Sequence, residues 1–245
     1  MSKANRVGLV VGVGPSQGLG AALARRFARE GLHVFLAGRT EARLFEMAEE
    51  IGRAGGGATA VPIDTTQSED VVKLFERVDA EGGSLDLVAY NAGNAAVGSL
   101  VEMDEQFFED VWRVVCLGGF LVGREASRRM VAQGCGSILF TGATASLRSR
   151  PPFAAFASAK AGLRALAAGL AREVGPQGVH VGHVVVDGMI DGDQLNQRFP
   201  QLRAQQGENG MLNIEAIAQT FWNLHAQPPS AWSFEIDLRP QGENW

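Results

Sequence analysis

One stretch constrains the fold more than any other: Val7-Gly-Leu-Val-Val-Gly-Val-Gly-Pro-Ser-Gln-Gly-Leu-Gly20, running into Ala-Ala-Leu-Ala-Arg-Arg-Phe. The apolar run Val7–Val13 reads as a strand buried on both faces, as in a parallel sheet covered by helices. Gly14, Gly18 and Gly20 follow, and then a helix whose Leu19, Leu23, Ala24 and Phe27 share one face. Strand, glycine turn and helix together make a phosphate cradle: the helix start offers unpaired N–H groups and a partial positive charge, and the missing side chains admit a pyrophosphate. A glycine-rich turn with no ligand is the plain alternative, but strand before and helix after are the context that distinguishes the motif.

Downstream, apolar runs alternate with helical periodicities. His33–Gly38, Ala58–Ile63, Leu85–Tyr90, Ser137–Phe140, Val179–Val186 and Trp232–Leu238 read as strands. Glu41–Gly52 (Leu44, Met47, Ala48 and Ile51 inward), Ser68–Ala80 (Val71, Val72, Phe75 and Val78 inward), Asp104–Gln133, Phe153–Val174 and Ile214–Ala226 read as helices. Such alternation predicts an α/β fold, a doubly wound parallel sheet of about seven strands with right-handed crossovers. At 245 residues, with no linker or repeat, the chain reads as a single domain spanning 1–245. The polar stretch Asp191–Gly210 stands apart, a candidate lid beyond the strand ends or a plain surface excursion.

Charge and composition exclude several classes. A net charge of −5 lacks the basic footprint of a nucleic-acid binder. No apolar run is long enough to span a bilayer, and Met-Ser-Lys-Ala-Asn-Arg leads into the first strand with no signal peptide, so a cytoplasmic protein without membrane association is expected. Cys116 and Cys135 imply no disulfide framework. No metal site is expected.

With these residues in place, the chain resembles the short-chain dehydrogenase/reductase family. The resemblance rests on Gly14-x-x-x-Gly18-x-Gly20, Asp64 after the third strand, Asn91-Ala92-Gly93 after the fourth, and Lys160 in the small-residue helix, in order through essentially the whole chain. It implies a Rossmann-like fold and a nicotinamide cofactor held by Gly14, Ser16, Gln17, Gly18, Leu19 and Gly20. Asp64 and Thr65 would lie against adenine, Asn91, Ala92 and Gly93 near the ribose, and Lys160, Gly188 and Ile190 would complete the site. The resemblance also implies a homodimer or homotetramer paired through the long helices and the last strand. Asn91-Ala-Gly93 is equally suited to a strand-end turn.

Cofactor choice is read at Ala37-Gly38-Arg39-Thr40. There is no carboxylate to hold a ribose 2′-hydroxyl. Gly38 leaves room and Arg39 can fork onto a 2′-phosphate, which favours NADP(H) over NAD(H); a solvated Arg39 opening the next helix is the alternative.

The reaction centre departs from the family pattern. The family carries a Tyr four residues before the Lys, so both lie on one helix face and the ammonium lowers the phenol's pKa. Here that position is Phe156, the family's Ser position falls on Ala143, and its Asn position on Val115, or on Cys116 with a slip of one. Thr144 and Ser146 are the hydroxyls nearest the vacant Ser position, or simple loop residues. Arg148 and Arg150 would bind an anionic substrate or be solvated, and His183 reads as a satisfied core histidine. In Asp187-Gly188-Met-Ile190-Asp-Gly192 the family has Pro-Gly and then a Thr that contacts the cofactor; Gly192 takes the Thr place. The expectation is an NADP(H)-binding oxidoreductase for a small carbonyl or alcohol with a degenerate centre, in which Lys160 is the one retained catalytic position, holding either the cofactor ribose or a water that serves as proton donor; the substrate is unread. The rival is an inactive nucleotide-binding sensor or assembly protein on the same fold.

Overall fold

A computed structural model describes residues 6–93, 95–207 and 209–242. Strands β1 (Arg6–Val11), β2 (His33–Gly38), β3 (Gly57–Pro62), β4 (Ser84–Tyr90), β5 (Gly136–Thr141) and β6 (Val179–Val186) join one sheet with the last strand of the chain, Glu235–Leu238. That strand is β9, counting the two-residue strands β7 (Ile190–Asp191) and β8 (Leu212–Asn213) before it. The order is β3-β2-β1-β4-β5-β6-β9, parallel throughout. The order reverses between β1 and β4, the switch point where such sheets open a crevice at their carboxyl ends.

Alternation along each strand feeds two cores. On one face Leu9, Val11, Val88, Phe140 and Val181 pack against α3 (Ser68–Glu81), α5 (Gly118–Gln133) and α6 (Ala154–Val174). On the other, Val10, Leu36, Leu87 and Val184 pack against α1 (Leu19–Arg29), α2 (Glu41–Arg53) and α9 (Ile214–His225). Leu23, Ala24 and Phe27 of α1 have no exposure. In α3 the inward set is Val71, Leu74, Phe75 and Val78; Val72, expected inward, is half-buried because Leu74 takes the core-facing place.

Most elements fall within two residues of the expectation, with four differences. β1 ends at Val11, since Gly12 turns to a φ of +95° that an extended strand does not use. The expected helix Asp104–Gln133 is α4 (Glu105–Trp112), a π-helical segment Arg113–Leu117, and α5. Tyr90, the chain's single tyrosine, donates to the Val114 carbonyl inside that segment and so takes up an acceptor that the widened register leaves. The last strand starts at Glu235, not Trp232, because Trp232 stacks on His180 and the Ser233 amide donates to Gln227. Finally, 191–210 is not weakly structured: it holds α7 (Asp193–Arg198) and α8 (Pro200–Gln206), tied down by β7–β8 pairing, with Glu208 outside the described residues. Among the described residues no helix is long and apolar enough to cross a membrane.

Candidate dinucleotide site and reaction centre

The glycines of the first turn have separate jobs. A Cβ on Gly12 would stand 2.5 Å from the Ala92 amide nitrogen, and one on Gly20 would stand 2.4 Å from the Gly12 carbonyl oxygen. These two let α1 and the end of β4 close onto the turn. The Asn91 amide completes the closure, donating to the Gly12 carbonyl at 3.1 Å while its oxygen accepts from Thr141 at 3.1 Å. Gly18 is the N-cap of α1, extended at φ −121°, with no side-chain cap; a Cβ there would lie 3.0 Å from the Pro15 carbonyl oxygen. Of the glycines in this turn, Gly14 alone faces open space, with nothing within 4 Å of an added Cβ. Uncapped N–H groups beside an open glycine fit an approaching phosphate. Gly14, Gly18 and Gly20 stand out in the sequence, whereas Gly12, hidden inside the apolar run Val7–Val13, does not.

Around this turn the other expected residues are differently employed. Ser16 donates to Glu50 at 3.0 Å, and Arg25 donates to the Ser16 carbonyl while pairing with Glu50 and Glu215. The Gln17 carbonyl accepts from the Asp193 amide at 2.9 Å, and a Cβ on Gly192 would meet that same oxygen at 2.8 Å. Gly192 therefore stands where the family has a Thr because the segment after β6 rests directly on the glycine turn. Leu19 is buried.

At the far end of the cradle, Arg39 is exposed and makes no ion pair or side-chain hydrogen bond among the described residues. Gly38 was expected to leave room for a phosphate; its nearest constraint is instead the Val13 carbonyl oxygen, 3.0 Å from a Cβ there. Asp64 caps its own loop, accepting from the Thr66 amide and hydroxyl at 2.9 and 2.8 Å. Thr65 turns inward, buried against Tyr90. Gly93, at φ +129°, passes so close to Val115 that a Cβ would lie 2.8 Å from it. Cys116 faces Gly162 of α6 instead, so Val115 is the residue beside the loop after β4.

At the reaction centre, Phe156 and Lys160 lie one turn apart on α6 and both are buried. The Lys160 Nζ donates to the Thr141 carbonyl at 2.6 Å and stands 5.6 Å from the Phe156 ring centroid. Burial pulls its pKa down from 10.5 to about 8. Ala143 is half-buried after β5, its amide donating to the Ser146 hydroxyl oxygen at 3.1 Å. Thr144 spends its proton on Asp187, which also pairs with Arg148 at 3.1 Å and Arg239 at 2.9 Å. The nearby hydroxyls are thus structural, and Arg148 neutralises a buried carboxylate; Arg150 is exposed. No phenol is at hand, since burial drives the Tyr90 pKa upward and its hydroxyl is committed to Val114. Gly188, at φ +156°, packs against Pro240, and Ile190 pairs with Leu212. His183 is only half satisfied: Nδ1 lies 2.9 Å from Glu235, whereas the buried Nε2 has no partner.

Comparison with known proteins fits this arrangement. A family profile described as short chain dehydrogenase matches residues 8–203. An uncharacterized oxidoreductase, YuxG, of Bacillus subtilis is 36% identical over 185 residues, 74% of this chain; the chain spans 27% of that relative's length. A crystal structure of a short-chain dehydrogenase from Rhodopseudomonas palustris is 36% identical, with a TM-score of 0.83 over 97% of this chain and 100% of that one. A metagenomic short-chain oxidoreductase solved in complex with NADP is 25% identical, with a TM-score of 0.81 over 98% and 100% of the two chains. With the profile covering the sheet from β1 to β6 and the segment beyond it, the chain belongs to the short-chain dehydrogenase/reductase family, whose members bind a nicotinamide cofactor.

Proposed function

We propose that this chain binds NADP(H) and reduces or oxidises a small carbonyl or alcohol, with Lys160 as the proton-transferring group in place of the family's phenol. The observation that carries the reading is Lys160: it keeps the family's place on α6, and burial brings its pKa to about 8, so its ammonium is a usable acid near neutrality. The open space at Gly14 and the uncapped start of α1 would hold the pyrophosphate. Arg39, unpaired among the described residues and exposed, would take the 2′-phosphate. The cofactor, when bound, supplies or accepts a hydride. Lys160 would hold a proton for the substrate oxygen, while Phe156, whose ring centroid lies 5.6 Å from Nζ, keeps water from the ammonium. Asn91 contributes rigidity, locking the ends of β1, β4 and β5 in one register. A homodimer or homotetramer is part of the proposal, supported by the exposed Phe108, Trp112 and Phe120 along the long helical segment.

One observation favours a second reading, a nucleotide-binding sensor without turnover. Thr144 has committed its proton to Asp187, and neither Ala143 nor Phe156 can polarise a carbonyl. Calorimetric titration with NADPH and NADH tests the cofactor. Arg39→Ala should cost NADPH about 1.5–3 kcal/mol, roughly 10- to 150-fold, and leave NADH unchanged. Equal losses for both cofactors would contradict the assignment. Tight NADPH binding with no oxidation over a panel of ketones, aldehydes and quinones would select the sensor.

A further inference from the structure

The turn that would hold the pyrophosphate is itself held from behind, by a residue that the proposed reaction does not use. Ser16 and Gln17 lie in this turn, between β1 and α1. Arg25 stands in the second turn of α1, where a long side chain runs back toward the helix start. Its side chain is 12% exposed and its guanidinium spans three elements. Nε and Nη2 fork onto Glu215 at the start of α9, at 3.3 and 3.1 Å. Nη1 is thereby aimed at the turn, donating to the Ser16 carbonyl at 2.9 Å and to Glu50 of α2 at 3.2 Å. Glu50 also accepts from the Ser16 hydroxyl at 3.0 Å. Two carboxylates on separate helices thus fix the plane of one guanidinium, and with it the direction of the nitrogen that reaches Ser16.

That hold decides which way one peptide faces. In a planar trans peptide the carbonyl and the N–H that follows it point in opposite directions. With the Ser16 carbonyl drawn back along α1 toward Arg25, the Gln17 N–H points forward off the helix start. Among the described residues it has no acceptor. Gly14, with open space beside it, lies three residues earlier in the same turn. Turned over, the same peptide would present a carbonyl oxygen to an arriving phosphate in place of a donor. We propose that Arg25 is a positioning residue for the dinucleotide: by holding the Ser16 carbonyl, it sets the Gln17 N–H toward the pyrophosphate. Arg25 and Arg29 together balance the charges of Glu50 and Glu215, so the effect runs through that peptide and not through attraction at a distance. This role presupposes the glycine turn as the pyrophosphate site.

The test compares Arg25→Met and Arg25→Lys with the parent, using NADPH, inorganic pyrophosphate and adenosine 2′-monophosphate as probes. The last carries adenine and the 2′-phosphate but no pyrophosphate. Arg25→Met should weaken NADPH binding by about tenfold, the worth of one charge-assisted hydrogen bond, and leave adenosine 2′-monophosphate within about twofold. Arg25→Lys keeps a charge between the two carboxylates, and with it the fold. A single ammonium cannot fork onto Glu215 and still reach the carbonyl, so this variant should show nearly the same loss. In nitrogen-15 NMR, saturating pyrophosphate should move the Gln17 amide proton downfield in the parent and much less in both variants. If Arg25→Met does not fold, Arg25→Lys decides. Full rescue by lysine would show that charge alone acts, and equal weakening of both nucleotides that Arg25 only braces the helices; either overturns the proposal. So does a Gln17 amide that answers pyrophosphate alike in all the proteins, or in none. A parent that gives the pyrophosphate response, lost in the variants, but does not bind NADPH would refute the cofactor reading and leave the positioning role standing.

Discussion

Lys160→Met separates the cost of burying an ammonium from the benefit of its hydrogen bond. In the folded chain Lys160 is 4% exposed and its pKa falls from 10.5 to about 8. At about 1.4 kcal/mol per pH unit, that displacement corresponds to about 3 kcal/mol. The sign follows from proton counting. Between about pH 8 and 10.5 the unfolded chain holds this proton and the folded chain does not, so this group's contribution to stability rises with pH across that window. Below pH 8 both states are charged and the full penalty stands. Methionine removes the penalty but leaves the Thr141 carbonyl without its donor, at about 1–2 kcal/mol. The variant should therefore be about 1–2 kcal/mol more stable than the parent near neutral pH, and less stable by a similar amount once the lysine is neutral in both states. Urea unfolding of both proteins from about pH 7 to 10.5 gives the difference curve, in which other titrating groups cancel. A difference that stays flat with pH would refute the claim that Lys160 is charged at a cost in the folded chain.

The glycine turn predicts two opposite outcomes: Gly20→Ala should destabilise the fold by about 1–3 kcal/mol, because its Cβ would stand 2.4 Å from a backbone oxygen. Gly14→Val should leave the melting temperature near its parent value yet weaken NADPH binding, and full retention of affinity would remove the turn from the site. Phe156→Tyr with Ala143→Ser should raise NADPH-dependent reduction of small ketones by about 10²–10⁴-fold, and more than either change alone, since a positioned acid and a polarising hydroxyl act together. No gain in the folded double variant would show that the phenol was not what the site lacks.

Strand–helix alternation was legible along the chain because parallel strands covered on both faces are short continuous apolar runs, and their helices carry one apolar stripe. Gly14, Gly18, Gly20, Asn91-Ala-Gly93 and Lys160 could be picked out by order and spacing alone, as could the absence of a tyrosine at Phe156. What spacing could not tell was how each residue is spent. Gly12 and Gly38 owe their lack of a side chain to backbone from Ala92 and Val13, which only the closed sheet brings within contact. Ser16, Thr144 and Arg148 read as available polar groups in one dimension, but Glu50 and Asp187 arrive from 34, 43 and 39 residues away to engage them. Tyr90 reaches Val114 of the π-helical segment across a strand–helix interface, a contact between residues 24 apart in sequence. His183 reads as one more residue of a buried strand, and its unpartnered nitrogen exists only because β5, β6, β9 and α6 enclose it. Local pattern determines which elements form, since periodicity is a property of neighbouring residues; the fate of a polar group depends on what the fold packs against it, which is a property of distant ones.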